Sequence, residues 1–287
     1  MKAVTALKTV SVLTILLLTG CTAPSATKEK QDVLSIIENA SQKTAELENG
    51  EYVFTFSNDV EQELTTLQGE GTFIQLENED IWSTKSKLGQ LGSNVQSLSE
   101  WIQTKGKMYQ RFGVVNEKNE YIEEQTKPEW HVAAEEGALH PLYLEDLINE
   151  DFLMSDIESI ENYTEGDHTV YELTYTEDYR NSVMDEEIKE IEIELKKLSS
   201  GNTDDSYLSS LKKAIDTKKR TDYTSKKVLL KVNEENILVY SLVEDEFVKE
   251  VNGTNHSMSA RKETSIVDYN KASIGIDTDF LSSNTLK

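Results

Sequence analysis

From Gln31 onward, apolar residues recur every three or four positions. Val33, Ile36, Ile37, Ala40, Thr44 and Leu47 make one stripe, which predicts an amphipathic helix, and Asn49-Gly50 supplies a stop. The period then drops to two. In EYVFTFS the side chains of Tyr52, Phe54 and Phe56 share a face, GEGTFIQL and DIWSTKS follow, and SEWIQTKGKMYQRF reads as a hairpin turning at Lys105-Gly106. These segments predict consecutive antiparallel strands. Between them KLGQLGSNVQS is short of bulky apolar residues and holds two glycines, so it is expected to be a mobile connection.

The middle section runs from Pro128 to about Asp151 and carries PLYLEDLINEDFL, a helix-like stretch with Leu142, Leu144, Leu147, Ile148 and Phe152 available to pack inward. A hairpin follows in DIESIENYTEGDHTVYELTYT, turning near Glu165-Gly166. Residues 182 to 219 interrupt the strands. Met184, Ile188, Ile191, Leu195 and Leu198 step by four and three; SSGNTDD ends that helix and offers Thr203 as the next N-cap, ahead of Tyr207, Leu208, Leu211 and Ile215. The result is an αα-hairpin whose apolar faces need a partner. Strands return in SKKVLLKVNEENILVYSLVEDEFVKEV, with a turn at Asn233 to Asn236, and SMSARKETSIVDYN adds another before KASIGI. This order predicts an α+β fold.

The N-terminus has a different pattern. Lys2 and Lys8 precede an apolar run from Val10 to Leu18, too short for a transmembrane helix of about 20 residues. It reads as an export signal. Leu18, Thr19, Gly20 and Cys21 resemble the lipobox of bacterial lipoproteins, which implies a signal peptide over 1–20 and diacylglyceryl transfer to the Cys21 sulfur. Two or three acyl chains there suffice for stable anchoring in a lipid bilayer. The small polar segment that follows makes residues 21–30 a flexible tether, and 31–287 a single domain with a helical-hairpin insertion at about 182–219. The expected address is the extracytoplasmic face of a cell membrane.

Composition narrows the function classes. The formal charge is −24, and removing the first twenty residues takes away two lysines and no acid, leaving −26. Such a chain repels nucleic acids and anionic surfaces at long range, so no nucleic-acid partner is expected. Hydrophobic residues make up 37% of the chain and are regularly patterned, which separates it from disordered sequences. The single cysteine rules out an internal disulfide. His131, His140, His168 and His256 are scattered without zinc-ligand spacing. No Gly-x-Ser-x-Gly elbow, phosphate-cradling loop or dinucleotide fingerprint occurs, and Asp204-Asp205 do not open a calcium loop. No catalytic residue, metal or cofactor is therefore expected, and the chain does not read as an enzyme.

The element order is similar to that of the lipoprotein-carrier superfamily, which includes LolA, LolB, the LppX/LprG group and related Gram-positive lipoproteins. The residues that carry the likeness are the lead helix running into GEYVFTFS and the closing TSIVDYNKASIGI, and it covers about Gln31 to Ile276. The resemblance implies a strongly curved antiparallel sheet, an open half-barrel, with helices on its concave side and a cavity that in relatives holds acyl chains. With the lysine-rich, acidic composition it leans Gram-positive.

On this reading Tyr52, Phe54, Phe56, Ile74, Met108 and Phe112 are candidate cavity-lining residues, although strand aromatics serve equally as core. The helical hairpin either covers the cavity mouth or is a surface insertion. Lys212, Lys213, Lys218, Lys219 and Arg220, followed by Lys226 and Lys227, form a basic patch in a very acidic protein. It either balances acids within the molecule at a helix C-terminus or meets anionic headgroups or wall polymer. The expected function is non-catalytic binding of a lipid or acyl chain. The alternative is a surface adaptor acting through contacts with other envelope proteins, its interior filled by its own side chains.

Overall fold

The computed structural model describes residues 23–60, 63–76, 79–90, 95–104, 107–116, 129–134, 147, 153–199, 205–251, 253–271 and 273–276. The lipobox with Cys21, the turn at 105–106, His140, Thr203 and most of the helix-like stretch at 141–153 lie outside the described residues.

The fold is α+β. Helix α1 (Ala23–Ala45) leads into β1 (Asn49–Val60), from which β2 (Glu63–Leu76), β3 (Glu79–Gln90), β4 (Val95–Thr104), β5 (Lys107–Asn116) and β6 (His131–Ala134) wind outward. The chain then crosses to the opposite edge and winds back through β7 (Ile157–Glu165), β8 (His168–Tyr175), β9 (Thr221–Val232), β10 (Leu238–Val251) and β11 (Thr254–Tyr269). The sheet order is β6-β5-β4-β3-β2-β1-β11-β10-β9-β8-β7, an open antiparallel sheet of eleven strands not closed into a barrel. Helices α2 (Glu177–Ser199) and α3 (Asp205–Lys218) are inserted between the paired neighbours β8 and β9. The hairpin expected at 182–219 is thus an elaborated strand-to-strand connection.

The two faces of the sheet are chemically distinct, because side chains alternate along each strand and register-paired residues share a face. One face, the helix face, carries Tyr52, Phe54, Phe73, Trp82, Leu173, Val228, Leu230 and Ile266, all buried. Helix α1 packs there through Leu34, Ile37, Ala40 and Leu47. Each such side chain, fully removed from water, contributes roughly 1.5–3 kcal/mol. Polar groups on the same helix stripe are satisfied across the interface. The Thr44 hydroxyl accepts a hydrogen bond from the Leu238 amide at 2.9 Å, and Ser41 Oγ donates to the Leu147 carbonyl at 2.9 Å.

The other face, the outer face, is mostly polar and carries rows of charges. Val53, Glu70, Lys85, Glu100 and Arg111 stand opposite one another across β1 to β5, so signs alternate along the row. Across β1 the same logic gives Arg261 beside Glu244 at 3.7 Å and Lys227 beside Glu172 at 3.9 Å. A smaller apolar group, Leu98, Ile102, Tyr109 and Val115, is buried on this face of β4 and β5.

Two expectations need correction. Helix α1 begins at Ala23, inside the stretch expected to be a flexible tether. Once the stripe from Val33 to Leu47 is docked, the nucleation cost is met and Ala, Lys and Glu residues extend the helix. Part of KLGQLGSNVQS is strand rather than a mobile connection: Leu88 pairs with Leu67 and with Ser97, which extends both hairpins. Strand β6 was not anticipated. The turns near Gly166, where φ is +60°, and at Asn233–Asn236, where Asn236 has φ of 61°, fall where the sequence places them.

Candidate functional site

Along the helix face, the half beneath α1 is filled by the chain itself. The rings of Tyr52 and Phe54 lie across β2, and their space exists because Gly71 and Gly69 face them. A Cβ on Gly71 would come within 2.1 Å of the Tyr52 ring, and one on Gly69 within 2.6 Å of the Phe54 ring. Phe73 covers Gly50 in the same manner at 2.6 Å. The Tyr52 hydroxyl is tied to Thr84 Oγ1 at 2.5 Å. Tyr52 and Phe54, expected to line a cavity, are thereby 1% and 3% exposed and belong to the core.

The other expected lining residues divide. Phe56, Met108 and Phe112 are on the helix face; Phe56 and Met108 are half-buried, and Phe112 stands 54% exposed with its ring edge-on to Trp101 at 5.8 Å. Ile74 pairs with Asn49 and Ile81 and so belongs to the outer face, one position out of phase with Phe73. The structure does not bring it to the others.

Open space on the helix face lies toward the Val60 end of β1, in two grooves. The first, about 520 Å³, is bounded by α3 and the sheet: Met184, Ala214, Thr217, Phe247, Met258 and Ala260 give it apolar walls. Lys213 and Lys218 also line it. The second, about 490 Å³, is lined by Leu67, Leu88, Trp101, Phe112 and Val114 with the serines 97 and 99 between them. Register places both at one end of the sheet, since Phe56 pairs with Leu67, and Asn58 with Ala260. Sequence reasoning missed Phe247, Met258 and Ala214. The first two alternate correctly in their strands, but the partner that leaves a gap above them is a helix some forty residues earlier.

The root of the helical hairpin is a polar and aromatic cluster. Tyr223 stacks on Phe247 at 4.6 Å and donates its hydroxyl to the Asp245 carboxylate; burial, then that carboxylate, pushes its pKa upward. Arg180 donates from Nε to the Tyr223 carbonyl at 3.1 Å and from Nη1 to the Tyr175 carbonyl at 2.6 Å. Lys226 Nζ sits 5.3 Å from the Tyr175 ring centre, a cation–π contact. Thr176 caps α2, its Oγ1 accepting from the Tyr179 amide at 3.2 Å.

The basic patch turns inward in part. Lys218 pairs with Glu187 and Lys219 with Glu192 at 3.0 Å, both across the α2–α3 hairpin, and Arg220 Nε donates to the Asp216 carbonyl at 3.1 Å. Lys212 and Lys213 are exposed on α3. His131, His168 and His256 stand on β6, β8 and β11, well separated in the sheet. Among the described residues no three His, Cys, Asp or Glu side chains gather as a metal site, and no helix is long and apolar enough to cross a membrane.

No family model matches the chain, and no curated protein matches it. Among solved structures, it is similar to a DUF1329 family protein from Desulfovibrio piger, at 9% identity and a TM-score of 0.25, over 91% of this chain and 99% of that one. It is also similar to a domain described as an outer membrane lipoprotein-sorting protein from Vibrio parahaemolyticus, at 11% identity and a TM-score of 0.20, over 89% and 96%. A third likeness is to MucB in complex with MucA(peri), at 8% identity and a TM-score of 0.14, over 82% and 93%.

Proposed function

We propose that this protein is a lipid-anchored extracytoplasmic binding protein, acylated at Cys21, that shelters the apolar part of an amphiphilic ligand without catalysis. The observation that carries the reading is the groove of about 520 Å³ between α3 and the sheet. Its volume lies in the range of small-molecule sites, its walls are mostly apolar, and Lys213 and Lys218 line it, the Lys218 ammonium being paired with Glu187. Those two features match an acyl chain joined to an anionic or polar head. The packed interior beneath α1 limits the ligand to this end of the helix face, and α3 forms one wall rather than a detached surface insertion. The lipobox-like Leu18 to Cys21 supports the anchor.

The test is native mass spectrometry of the full chain extracted from membranes, followed by delipidation and titration with a fluorescent fatty acid. Bound lipid, or saturable binding weakened at least about tenfold by Ala214→Trp with unchanged circular dichroism, is expected. A delipidated protein that never binds the probe saturably overturns the ligand reading. Cys21→Ala should release the protein from the membrane, and retention without acylation overturns the anchor.

A further inference from the structure

A further cavity lies on the outer face, opposite the groove, and nothing in the proposed function uses it. It measures about 720 Å³ and lies over β1 to β5, with Trp130 and the segment around Gly275 and Ile276 among its walls. Its floor is the alternating row: Glu70 stands opposite Lys85 and Lys85 opposite Glu100, with Thr72 and Ser83 paired beside them. One end is fixed. Arg111 Nε donates to Glu100 Oε2 at 2.5 Å, and its guanidinium lies 4.6 Å from the Trp130 ring centre, so the pair is held before any ligand arrives. Along the side nearer β11 the walls are apolar: Val53, 43% exposed, and Val267, 61% exposed, together with Ile276.

This lining selects for one kind of chemistry. Carboxylates only accept hydrogen bonds, ammonium and guanidinium groups only donate, and the Thr72 and Ser83 hydroxyls do both. A ligand that satisfies all of them carries many groups that donate and accept at once. A single charge of either sign meets a like charge one strand away, because the signs alternate at strand spacing. The apolar side asks for a surface of C–H groups on the same ligand. An uncharged sugar ring has both, hydroxyls around its edge and C–H groups on its face. We propose that the outer-face cavity is a binding site for an uncharged saccharide, hydrogen-bonded by Glu70, Lys85, Thr72 and Ser83 and laid against Val53 and Val267. This goes beyond the amphiphile groove and does not rest on it.

Isothermal titration and saturation-transfer NMR on the full chain test it, with cellobiose and N,N′-diacetylchitobiose as uncharged probes and spermidine and inorganic phosphate as charged ones. At least one disaccharide should bind saturably, and Glu70→Gln and Lys85→Ala should each weaken it about tenfold or more. Both side chains are exposed, so the fold tolerates these changes. Ala214→Trp, in the groove on the other face, should leave saccharide binding unchanged. The proposal is overturned if neither disaccharide binds saturably, if spermidine or phosphate binds more tightly than both, or if Glu70→Gln and Lys85→Ala have no effect.

Discussion

The helix face and the outer face of the one sheet are ordered by different forces. Beneath α1, register is expressed in volume: aromatic rings occupy space left by glycines on the next strand, which a Cβ would fill. On the outer face, register is read in charge: Glu70, Lys85, Glu100 and Arg111 alternate across four strands, and a slip of one residue removes every favourable pair. Packing of the first kind is worth kilocalories per residue, whereas half-exposed ion pairs contribute about 0–1 kcal/mol each. Function is more easily accommodated on the second face. A face held by shape has little freedom to change, while a face held by weak, replaceable charges can host a site without risking the fold.

The sharpest way to break this contrast is to remove Trp82, fully buried at the centre of the helix face. Trp82→Ala should cost about 3–5 kcal/mol in urea denaturation, because the surrounding strands cannot collapse into the space. Lys85→Ala, on the same strand but the outer face, should stay within about 0.5 kcal/mol. Equal losses would mean the two faces share the load. Part of the Trp82 penalty is already offset, since its indole Nε1 has no hydrogen-bond partner among the described residues. Trp82→Phe should therefore cost clearly less than Trp82→Ala.

A finer version adds one methyl group to each of two glycines. On Gly71 the new Cβ would sit 2.1 Å from the Tyr52 ring, whereas on Gly89 the nearest atom would be the flexible end of Gln96 at 3.5 Å. Gly71→Ala should destabilise by about 1–3 kcal/mol, and Gly89→Ala should be neutral within about 0.5 kcal/mol, read from thermal melts. Equal midpoints for the two variants would show that the aromatic overlay is slack rather than tightly fitted.

Much of the sheet was legible because its signals are local. Period-two apolar residues, turns at Gly166 and Asn233–Asn236, and the two helical stripes fall where the sequence places them. The Glu100–Arg111 pair was not read from the sequence, although the turn expected at 105–106 sets Thr104 opposite Lys107 and, four residues back, those two face to face. What was hidden depends on distant partners. EYVFTFS and GEGTFIQL each show their pattern, but only their pairing reveals that Tyr52 and Phe54 rest on Gly71 and Gly69, and so fill space instead of lining it. Ile74 was misplaced by one residue of phase, because in FIQL both Phe73 and Ile74 are apolar and only register decides which faces α1. Trp130 belongs to neither a periodic strand nor a stripe, and its role appears only when β5 brings Arg111 beneath it.

The smallest expected effect is silent at neutral pH and compares one tyrosine on each face. Tyr223, on the helix face, donates to Asp245; Tyr240, on the outer face, donates to Glu263 at 2.9 Å. Burial is the first cause of both shifts and the carboxylate the second; Tyr240 is pushed up to about 12 and Tyr223 is raised further. A phenol is neutral when protonated, so a folded pKa above the unfolded value of about 10 adds stability that is complete below pH 10 and is lost as pH rises toward the folded value. Absorbance at the phenolate band should show Tyr240 ionising near pH 12 in the folded chain, with near-ultraviolet dichroism unchanged. Tyr223 should ionise only as the hairpin root opens, together with loss of near-ultraviolet dichroism. In Tyr240→Phe the component near pH 12 should vanish and the unfolding step remain; in Tyr223→Phe the unfolding step should move. If Tyr223 instead titrates first with the tertiary signal unchanged, the groove beside it is open to solvent and the helix face is not the better-sealed side of the sheet.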